Sequence, residues 1–240
     1  MKKLLLSLAI AAVATSSAMA DYNIAALSYD NVTINSNSKA GKPFIKEAKN
    51  GDVVYKKNGS FNGLGLEYIH GFGISKLPMY IEVGGKVSFT FNHKSVDFNI
   101  DDDVTATATQ NWNLIRLAIP VSYAYRFKCG DNFAVTPYLG LDFRFNLAAS
   151  LSEKWKMVEY DPDGSEEYES DDDPTNLFSK DDMYGHTWNR FQMGWHIGVR
   201  AEYSRFSLGL NLGTDFMPIY KFEKAKMTTF NLSLALGYRF

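Results

Sequence analysis

The feature that most constrains this chain is a long-range alternation of apolar and polar residues. In residues 115–127, Ile, Leu, Val, Tyr and Phe occupy the odd positions, while Arg116, Ser122 and Arg126 stand at even ones. A repeat of two residues is the period of a β-strand, whose side chains point alternately to its two faces. The sequence therefore predicts an all-β protein of eight strands. Six stretches are clear and two are weaker: 81–91, 115–127, 135–147, 191–203, 206–213 and 229–240, then 23–34 and 61–69.

The chemistry of the two strand faces distinguishes a sandwich from a barrel. A soluble β-sandwich also alternates, because one face of each sheet packs on a core and the other meets water. Here the apolar face is nearly unbroken and rich in aromatic residues, while the opposite face carries charges in the middle of strands. That combination favours a barrel with hydrocarbon outside and a polar interior. Aromatic residues make up 15% of the chain, although its mean hydropathy is −0.22.

The connections between the predicted strands alternate between long and short. The short ones span 71–78, 128–132 and 204–205, and the long ones span 35–60, 95–110, 152–187 and 215–226. An up-and-down transmembrane barrel has tight periplasmic turns and longer external loops. Backbone groups in hydrocarbon must also be paired internally, which strands achieve only by closing. We expect an eight-stranded antiparallel barrel with both termini in the periplasm.

The N-terminal residues predict export. Lys2 and Lys3 precede an apolar stretch at 4–13, and Ala18-Met19-Ala20 has the small residues of a cleavage site. These are the parts of a secretory signal peptide. We therefore expect a signal peptide at 1–20 and a single barrel domain at 21–240. A formal net charge of −2 gives no reason to expect a nucleic-acid partner.

Several segments resemble a known family, the porin-family outer-membrane β-barrel domain proteins. The resemblance rests on 115–127 (IRLAIPVSYAYRF), 135–143 (VTPYLGLDF), 194–203 (GWHIGVRAEY) and 237–240 (GYRF). It implies a bacterial outer-membrane location among lipid and lipopolysaccharide. It also implies that the terminal aromatic residues, Phe240 and Tyr238, are an assembly signal read by the barrel-assembly machinery. The family pattern includes an Ile-Pro pair in a strand, where Pro120 would otherwise be unexpected, and we expect a bulge or kink there.

The polar faces of the strands predict charges inside the barrel. An eight-stranded barrel is just wide enough for side chains to fill its interior. Four acidic and four basic residues would largely cancel there, since an unpaired buried charge is costly. A filled lumen and a narrow polar channel are both compatible with this set. The predicted interior charges are Glu67, Glu82, Lys86, Arg116, Asp142, Arg144, Arg200 and Glu202.

Two of the long loops carry opposite charges. Loop 35–60 has six lysines against Glu47 and Asp52, whereas loop 152–187 has twelve acidic residues against three lysines. The loops could attract each other across the barrel mouth, bind divalent cations near lipopolysaccharide, or simply stay solvated. They are the predicted contacts for an external ligand or a host surface. The clusters 161–164 and 171–173 lack EF-hand spacing, so we expect no metal site and no cofactor.

Enzymatic activity has little support in the sequence. His93 and Ser95 would share one face of a strand, but no third residue completes a nucleophilic site. We expect no catalytic residues. Cys129 is the single cysteine and is expected to lie in a turn. The predicted function is structural or surface-binding through the charged loops. The alternatives are a narrow porin for small solutes and, more distantly, a lipid hydrolase.

Overall fold

The computed structural model describes residues 22–74, 77–161, 164–183 and 187–240. The predicted signal peptide at 1–20 lies outside these residues, as does Asp21. The chain forms fourteen strands in the described part: β1 (Tyr22–Ser36), β2 (Phe44–Lys49), β3 (Asp52–Lys56), β4 (Asn58–Ile74), β5 (Met79–Asp101), β6 (Val104–Tyr125), β7 (Phe127–Lys128), β8 (Phe133–Asp161), β9 (Gly164–Asp171), β10 (Thr175–Asn176), β11 (Phe191–Tyr203), β12 (Phe206–Asp215), β13 (Tyr220–Phe222) and β14 (Ala225–Arg239).

Eight of these strands close into a barrel. They follow the order β1, β4, β5, β6, β8, β11, β12, β14, and β14 pairs back with β1 from Ile24↔Arg239 to Ser36↔Met227. All neighbours are antiparallel. The start of β1 meets the C-terminal residue that follows β14, since the amide of Phe240 donates to the carbonyl of Asn23 at 3.0 Å. The predicted eight-stranded up-and-down barrel is confirmed.

The outer surface of the barrel is apolar. Large side chains point outwards along every barrel strand, for example Leu66 on β4, Phe89 on β5, Leu139 on β8 and Leu236 on β14. The polar residues of the same strands point into the lumen, as the period of two requires. This arrangement is the inverse of that in a soluble protein, and it suits a barrel whose outer surface faces lipid hydrocarbon. Within the described residues, no helix is long and apolar enough to span a membrane.

Pro120 interrupts the sheet in a different way from the predicted bulge. The β5–β6 register is the same on both sides of it, from Val83↔Val121 to Lys86↔Ala118, but Gly84 and Gly85 form no pairs with β6. A Cβ on Gly84 would lie 2.8 Å from the Tyr68 carbonyl oxygen and 3.1 Å from Pro120 Cγ. The glycines thus accommodate the proline ring without a register shift. The bulge between β6 and β8 lies elsewhere, because Ile115 pairs with Ala148 and Arg116 with Asn146, which leaves Leu147 of β8 as the extra residue.

The long loops contain more sheet than expected. Residues 95–110 were predicted to be a loop, but β5 and β6 continue through them and turn only at 101–104. Most of 152–171 is likewise the β8–β9 hairpin. The first loop contains the hairpin β2–β3, whose turn residues Asn50 and Gly51 both have positive φ. An Asn-Gly pair favours this tight turn, because both residues tolerate that conformation.

Candidate functional site

Ion pairs fill the middle of the lumen. Lys86 Nζ donates to Asp30 Oδ1 at 2.5 Å and to Ser233 Oγ at 2.8 Å. Arg144 pairs with both Asp142 and Asp215, each of which is almost fully buried. These pairs join β1 to β5 and β8 to β12, so each of them connects two strands that have one strand between them in the ring. Buried carboxylates need such partners, because an unpaired charge there costs several kcal/mol, on the order of 3–5.

A second network lies near the end where the termini meet. Arg200 pairs with Glu82, which also accepts a hydrogen bond from the Tyr22 hydroxyl. Glu202 accepts from Arg126 Nε at 3.0 Å and from Arg239 Nη1 at 2.8 Å. The guanidinium of Arg239 also lies 4.4 Å from the centre of the Tyr22 ring, within cation–π range. This end of the lumen is therefore filled by ion pairs and an aromatic ring.

All eight predicted interior charges line the lumen or its cavities, but not all of them form ion pairs. Six of them form ion pairs: Glu82, Lys86, Asp142, Arg144, Arg200 and Glu202. Arg116 is buried and donates to the Asn231 side chain at 2.9 Å, and its Nε has no hydrogen-bond partner among the described residues. Glu67 lines both lumen cavities and makes no ion pair among the described residues.

Four partner residues were not in the predicted set. Arg126 and Arg239 stand at polar positions of their strands, while Asp30 lies on a weakly alternating strand. Asp215 was assigned to the fourth long loop, but it ends β12 and is buried. The sequence signal that could have located Asp30 is the short alternation of Leu27 and Tyr29 with Ser28 and Asp30, and in the structure Ser28 and Asp30 do point inwards.

The remaining space in the lumen is small. One cavity of about 50 Å³ lies among Asp30, Glu67, Lys86 and Arg116, and a second of about 10 Å³ lies beside Ser122 and His196. A single water needs about 10–15 Å³ measured in this way. The cavities can therefore hold a few waters, but they do not form an open passage in the described structure.

An apolar cluster closes the mouth at the loop end. Phe44 from the first loop, Trp188 from the third and Ile219 from the fourth pack on Trp112 of β6. The two tryptophan rings stack with centroids 5.9 Å apart, and the ring of Phe44 fits over Gly59, where a Cβ would lie 2.5 Å from it. The described residues contain no ion pair between the first and third loops. Apolar packing, rather than opposite charge, therefore holds the loops together.

His93 and Ser95 do not form a nucleophilic pair. His93 Nδ1 bonds with Asn111, and Ser95 Oγ lies 2.9 Å from Thr109 Oγ1. A different set has the geometry of a hydrolytic triad, since His196 Nε2 lies 2.8 Å from Ser122 Oγ and Nδ1 lies 3.0 Å from Asp142 Oδ1. Ser122 and His196 are buried beside a cavity of about 10 Å³, which has no room for a substrate. The Ser122–His196 hydrogen bond satisfies two buried polar atoms, whereas His196 Nδ1 has no hydrogen-bond partner among the described residues, although Asp142 is close.

A four-stranded sheet continues beyond the barrel at the loop end, formed by the distal parts of β5, β6 and β8 together with β9. Lys154 pairs with Asp171 across the β8–β9 hairpin, and Lys156 Nζ lies 2.7 Å from Glu167. Hydrogen bonds to these carboxylates raise the pKa of both lysines, so both stay charged at neutral pH. Among the described residues, no group of three or more His, Cys, Asp or Glu side chains is arranged to hold a metal ion. Asp163, in the first acidic cluster, lies outside those residues.

The predicted assembly residues lie on the outside of the barrel. Phe240 and Tyr238 are both exposed, and Arg205 Nη1 donates to the Tyr238 hydroxyl at 3.0 Å. The Phe240 ring lies beside that of Tyr68, with centroids 6.5 Å apart. Both aromatic residues are therefore accessible at the end of the barrel where the chain begins and ends. Their role in assembly remains a prediction.

Comparison with known proteins identifies the family. The family model described as outer membrane protein beta-barrel domain matches residues 33–220. None of the curated proteins compared with the chain matches it in sequence. Among solved structures, the chain is similar to Ail of Yersinia pestis in complex with the heparin analogue sucrose octasulfate, with 13% identity, coverage of 92% of this chain and 100% of that chain, and a TM-score of 0.38. It is also similar to Neisserial surface protein A, with 15% identity, coverage of 90% and 97%, and a TM-score of 0.39.

The match at 33–220 includes most of the barrel strands and the three loops that close the mouth. It confirms the resemblance noted in the sequence and the outer-membrane location that the resemblance implied. This chain belongs to the outer membrane protein β-barrel domain family.

Proposed function

We propose that this protein is a non-enzymatic, non-conducting barrel that anchors a binding surface outside the cell, with both termini in the periplasm. The observation that carries the proposal is the contrast between the closed lumen of the barrel and the charged sheet outside it. The lumen is filled by ion pairs and closed by the cluster around Trp112, while a charged sheet extends beyond the mouth. A barrel built only for passage would need neither feature. The short turns on the side of the termini support the periplasmic assignment.

Lipid, lipopolysaccharide and an external ligand or host surface are the partners that this proposal expects. The outward apolar face contacts lipid hydrocarbon. The lysines of loop 35–60 and the carboxylates of loop 152–187 are the groups available to anionic and cationic partners respectively. Exposed ion pairs contribute little individually and are screened by salt. Specific binding must therefore combine charge with shape or apolar contact.

Truncation of the β8–β9 hairpin tests the proposed function. Residues 156–169 are replaced by Asn-Gly, which joins the paired residues Trp155 and Ser170 by a two-residue turn. The barrel should assemble normally, because residues 156–169 belong to the external sheet, where they pair across the hairpin and with residues 104–107 of β6, beyond the parts of β6 and β8 that close the ring. Bacteria that display the truncated protein should adhere less to host cells and matrix than bacteria that display the intact protein. Unchanged adhesion would contradict the surface-binding role.

A narrow porin is the second candidate. The two lumen cavities share Glu67, Pro120 and Asn211 in their walls, so polar space continues through the middle of the barrel. Conduction would still require the Trp112–Trp188 contact to open. Under this alternative, exchanging the charges of Glu82 and Arg116 would change the ion selectivity of measurable openings. Under the proposed function, neither the intact protein nor the charge-exchanged variant shows channel openings.

A further inference from the structure

The external sheet is amphipathic. Residues directly opposite each other on paired strands point to the same side of a sheet. The register places Phe98, Ala106, Met157 and Tyr168 in one row across β5, β6, β8 and β9, on the side that also carries Val96, Ala108 and Trp155. The opposite side carries threonines and charges, including Thr107, Lys156 and Glu169. One face of this extramembrane sheet is therefore apolar.

Only half of that apolar face is covered. The hairpin β2–β3 packs its Ile45 and Tyr55 against Val96 and Ala108, and its tip reaches β5, where a Cβ on Gly51 would lie 3.1 Å from the carbonyl oxygen of Asn99. Beyond this tip, an open groove of about 510 Å³ runs along Phe98, Trp155, Met157 and Tyr168. Trp155 is 41% and Tyr168 50% exposed. Exposed aromatic side chains that share one face form a typical binding surface.

The sheet also ends in a free edge beside the groove. Within the described residues β9 pairs only with β8, and all eight of its residues are exposed. The amide of Asp172 donates to Glu153, in the same ladder, at 3.4 Å. Because pairing alternates along a strand, the amides of residues 165, 167, 169 and 171 point away from β8. Such an edge is a template for an added strand unless its side chains prevent pairing.

The charge around the groove and the β9 edge determines which kind of partner can bind there. Residues 95–107 and 153–173 contain fourteen acidic residues and two basic ones, and both of those lysines are already paired within the hairpin. The lysines of β2–β3 form no ion pair with these carboxylates among the described residues. A second copy of β9 would bring carboxylates against carboxylates, and an anionic lipid surface would be repelled in the same way. A basic chain would be attracted.

We infer that the free edge of β9 and the adjoining aromatic groove bind an extended, basic polypeptide segment, which adds to the sheet as a further strand. This inference rests on the proposed surface-binding function and names its partner class. The added strand makes backbone hydrogen bonds with the outward amides and carbonyls of β9. Its apolar side chains lie on Tyr168 and Met157, and its basic side chains face the carboxylates of the other side, as alternation requires.

The experiment uses the full barrel in nanodiscs of uncharged phosphatidylcholine. The probe is a ten-residue peptide in which Lys and Arg alternate with Val and Tyr. Binding is measured by fluorescence anisotropy at low and high salt. The intact protein should bind the peptide, and the affinity should fall as salt rises. A peptide with Glu in place of Lys and Arg should not bind.

A matched pair of substitutions separates strand addition from charge attraction. Glu169→Pro removes one outward amide, whereas Glu169→Gln removes the same charge and keeps the amide. We expect Glu169→Pro to bind at least about tenfold more weakly and Glu169→Gln to remain within about threefold of the intact protein. Should the proline variant fail to fold, a probe N-methylated at alternate residues tests the same bonds on the intact protein, and it should not bind.

Any of three binding results would overturn the inference: no binding to the intact protein, equal binding of the acidic probe, or equal binding by Glu169→Pro and Glu169→Gln. Self-association of the barrel through β9 would also overturn it. The proposed function is tested separately by the hairpin truncation. If truncation lowers adhesion while the basic probe does not bind, the surface-binding role stands and the basic strand is the wrong partner. If truncation leaves adhesion unchanged, the proposed function itself fails.

Discussion

The ion pair between Glu82 and Arg200 allows the paired lumen to be tested quantitatively. Glu82 is 3% and Arg200 4% exposed, and they join β5 to β11 across the interior. Arg200→Leu would leave Glu82 buried with the Tyr22 hydroxyl as its partner among the described residues. Glu82→Leu would leave the guanidinium of Arg200 with the Tyr22 hydroxyl at 3.2 Å and with Glu202, whose Oε1 lies 3.8 Å from Nε. Each single change should lower the free energy of unfolding by about 3–5 kcal/mol.

The double variant should recover most of that loss. Replacing both members of a buried pair by apolar residues of similar volume is often neutral, since no charge is left without a partner. Glu202 keeps Arg126 and Arg239 in the double variant. We therefore expect a coupling energy of at least about 2 kcal/mol from the double-mutant cycle.

Urea unfolding of the refolded barrel in lipid vesicles measures the cycle, with the loss of heat-modifiable migration on gels as the second probe. A control cycle on the exposed pair Lys154 and Asp171 should show little coupling, because exposed pairs are screened by water and salt. If the Glu82 and Arg200 effects simply add, the reasoning that ion pairs stabilise the filled lumen is refuted.

Three further predictions concern the ends of the barrel. Trp188→Ala should lower the free energy of unfolding by about 3–5 kcal/mol because it removes the buried ring that stacks on Trp112 in the mouth cluster. Trp195→Ala on the exposed outer face should cost clearly less, and equal effects in urea unfolding would contradict the cluster. Phe240→Ser should reduce the amount of folded barrel in outer-membrane fractions, and Phe230→Ser, an exposed aromatic of the same strand, should not; equal yields would exclude the assembly signal. The exposed thiol of Cys129 should react with a membrane-impermeant maleimide only after the outer membrane is permeabilised, and labelling in intact cells would place the short turns outside instead.

The strand pattern was predictable because membrane and barrel closure act on every residue. Lipid requires apolar side chains outside, closure requires polar ones inside, and alternation follows without knowledge of any contact. The interior position of Arg116 or Arg144 could thus be predicted from its place in the alternation of apolar and polar residues alone. Their partners could not, because pairing depends on how far the strands are staggered around the ring. Arg144 pairs with Asp215, which is 71 residues away in the chain.

The closed mouth was not predictable in the same way. Phe44, Trp188 and Ile219 lie in loops with no period, so their burial depends on tertiary contacts that the sequence does not display. The external sheet is better indicated by the sequence than the closed mouth is. Ala106 and Ala108 alternate with Thr105, Thr107 and Thr109, a strand pattern whose weak hydrophobicity resembles a polar loop. A small residue fits at Ala108 because the β2–β3 hairpin packs directly on it.

Single-channel recording of the refolded mature protein in planar bilayers tests the central claim, a filled and closed lumen, most directly. Insertion is verified by protease protection and heat-modifiable migration of protein recovered from the same vesicles, so that silence is informative. We predict inserted barrels without discrete openings, because the described cavities hold only a few waters and Trp112 and Trp188 close the mouth. Reproducible openings whose ion selectivity changes when the charges of Glu82 and Arg116 are exchanged would contradict this account and establish a narrow porin.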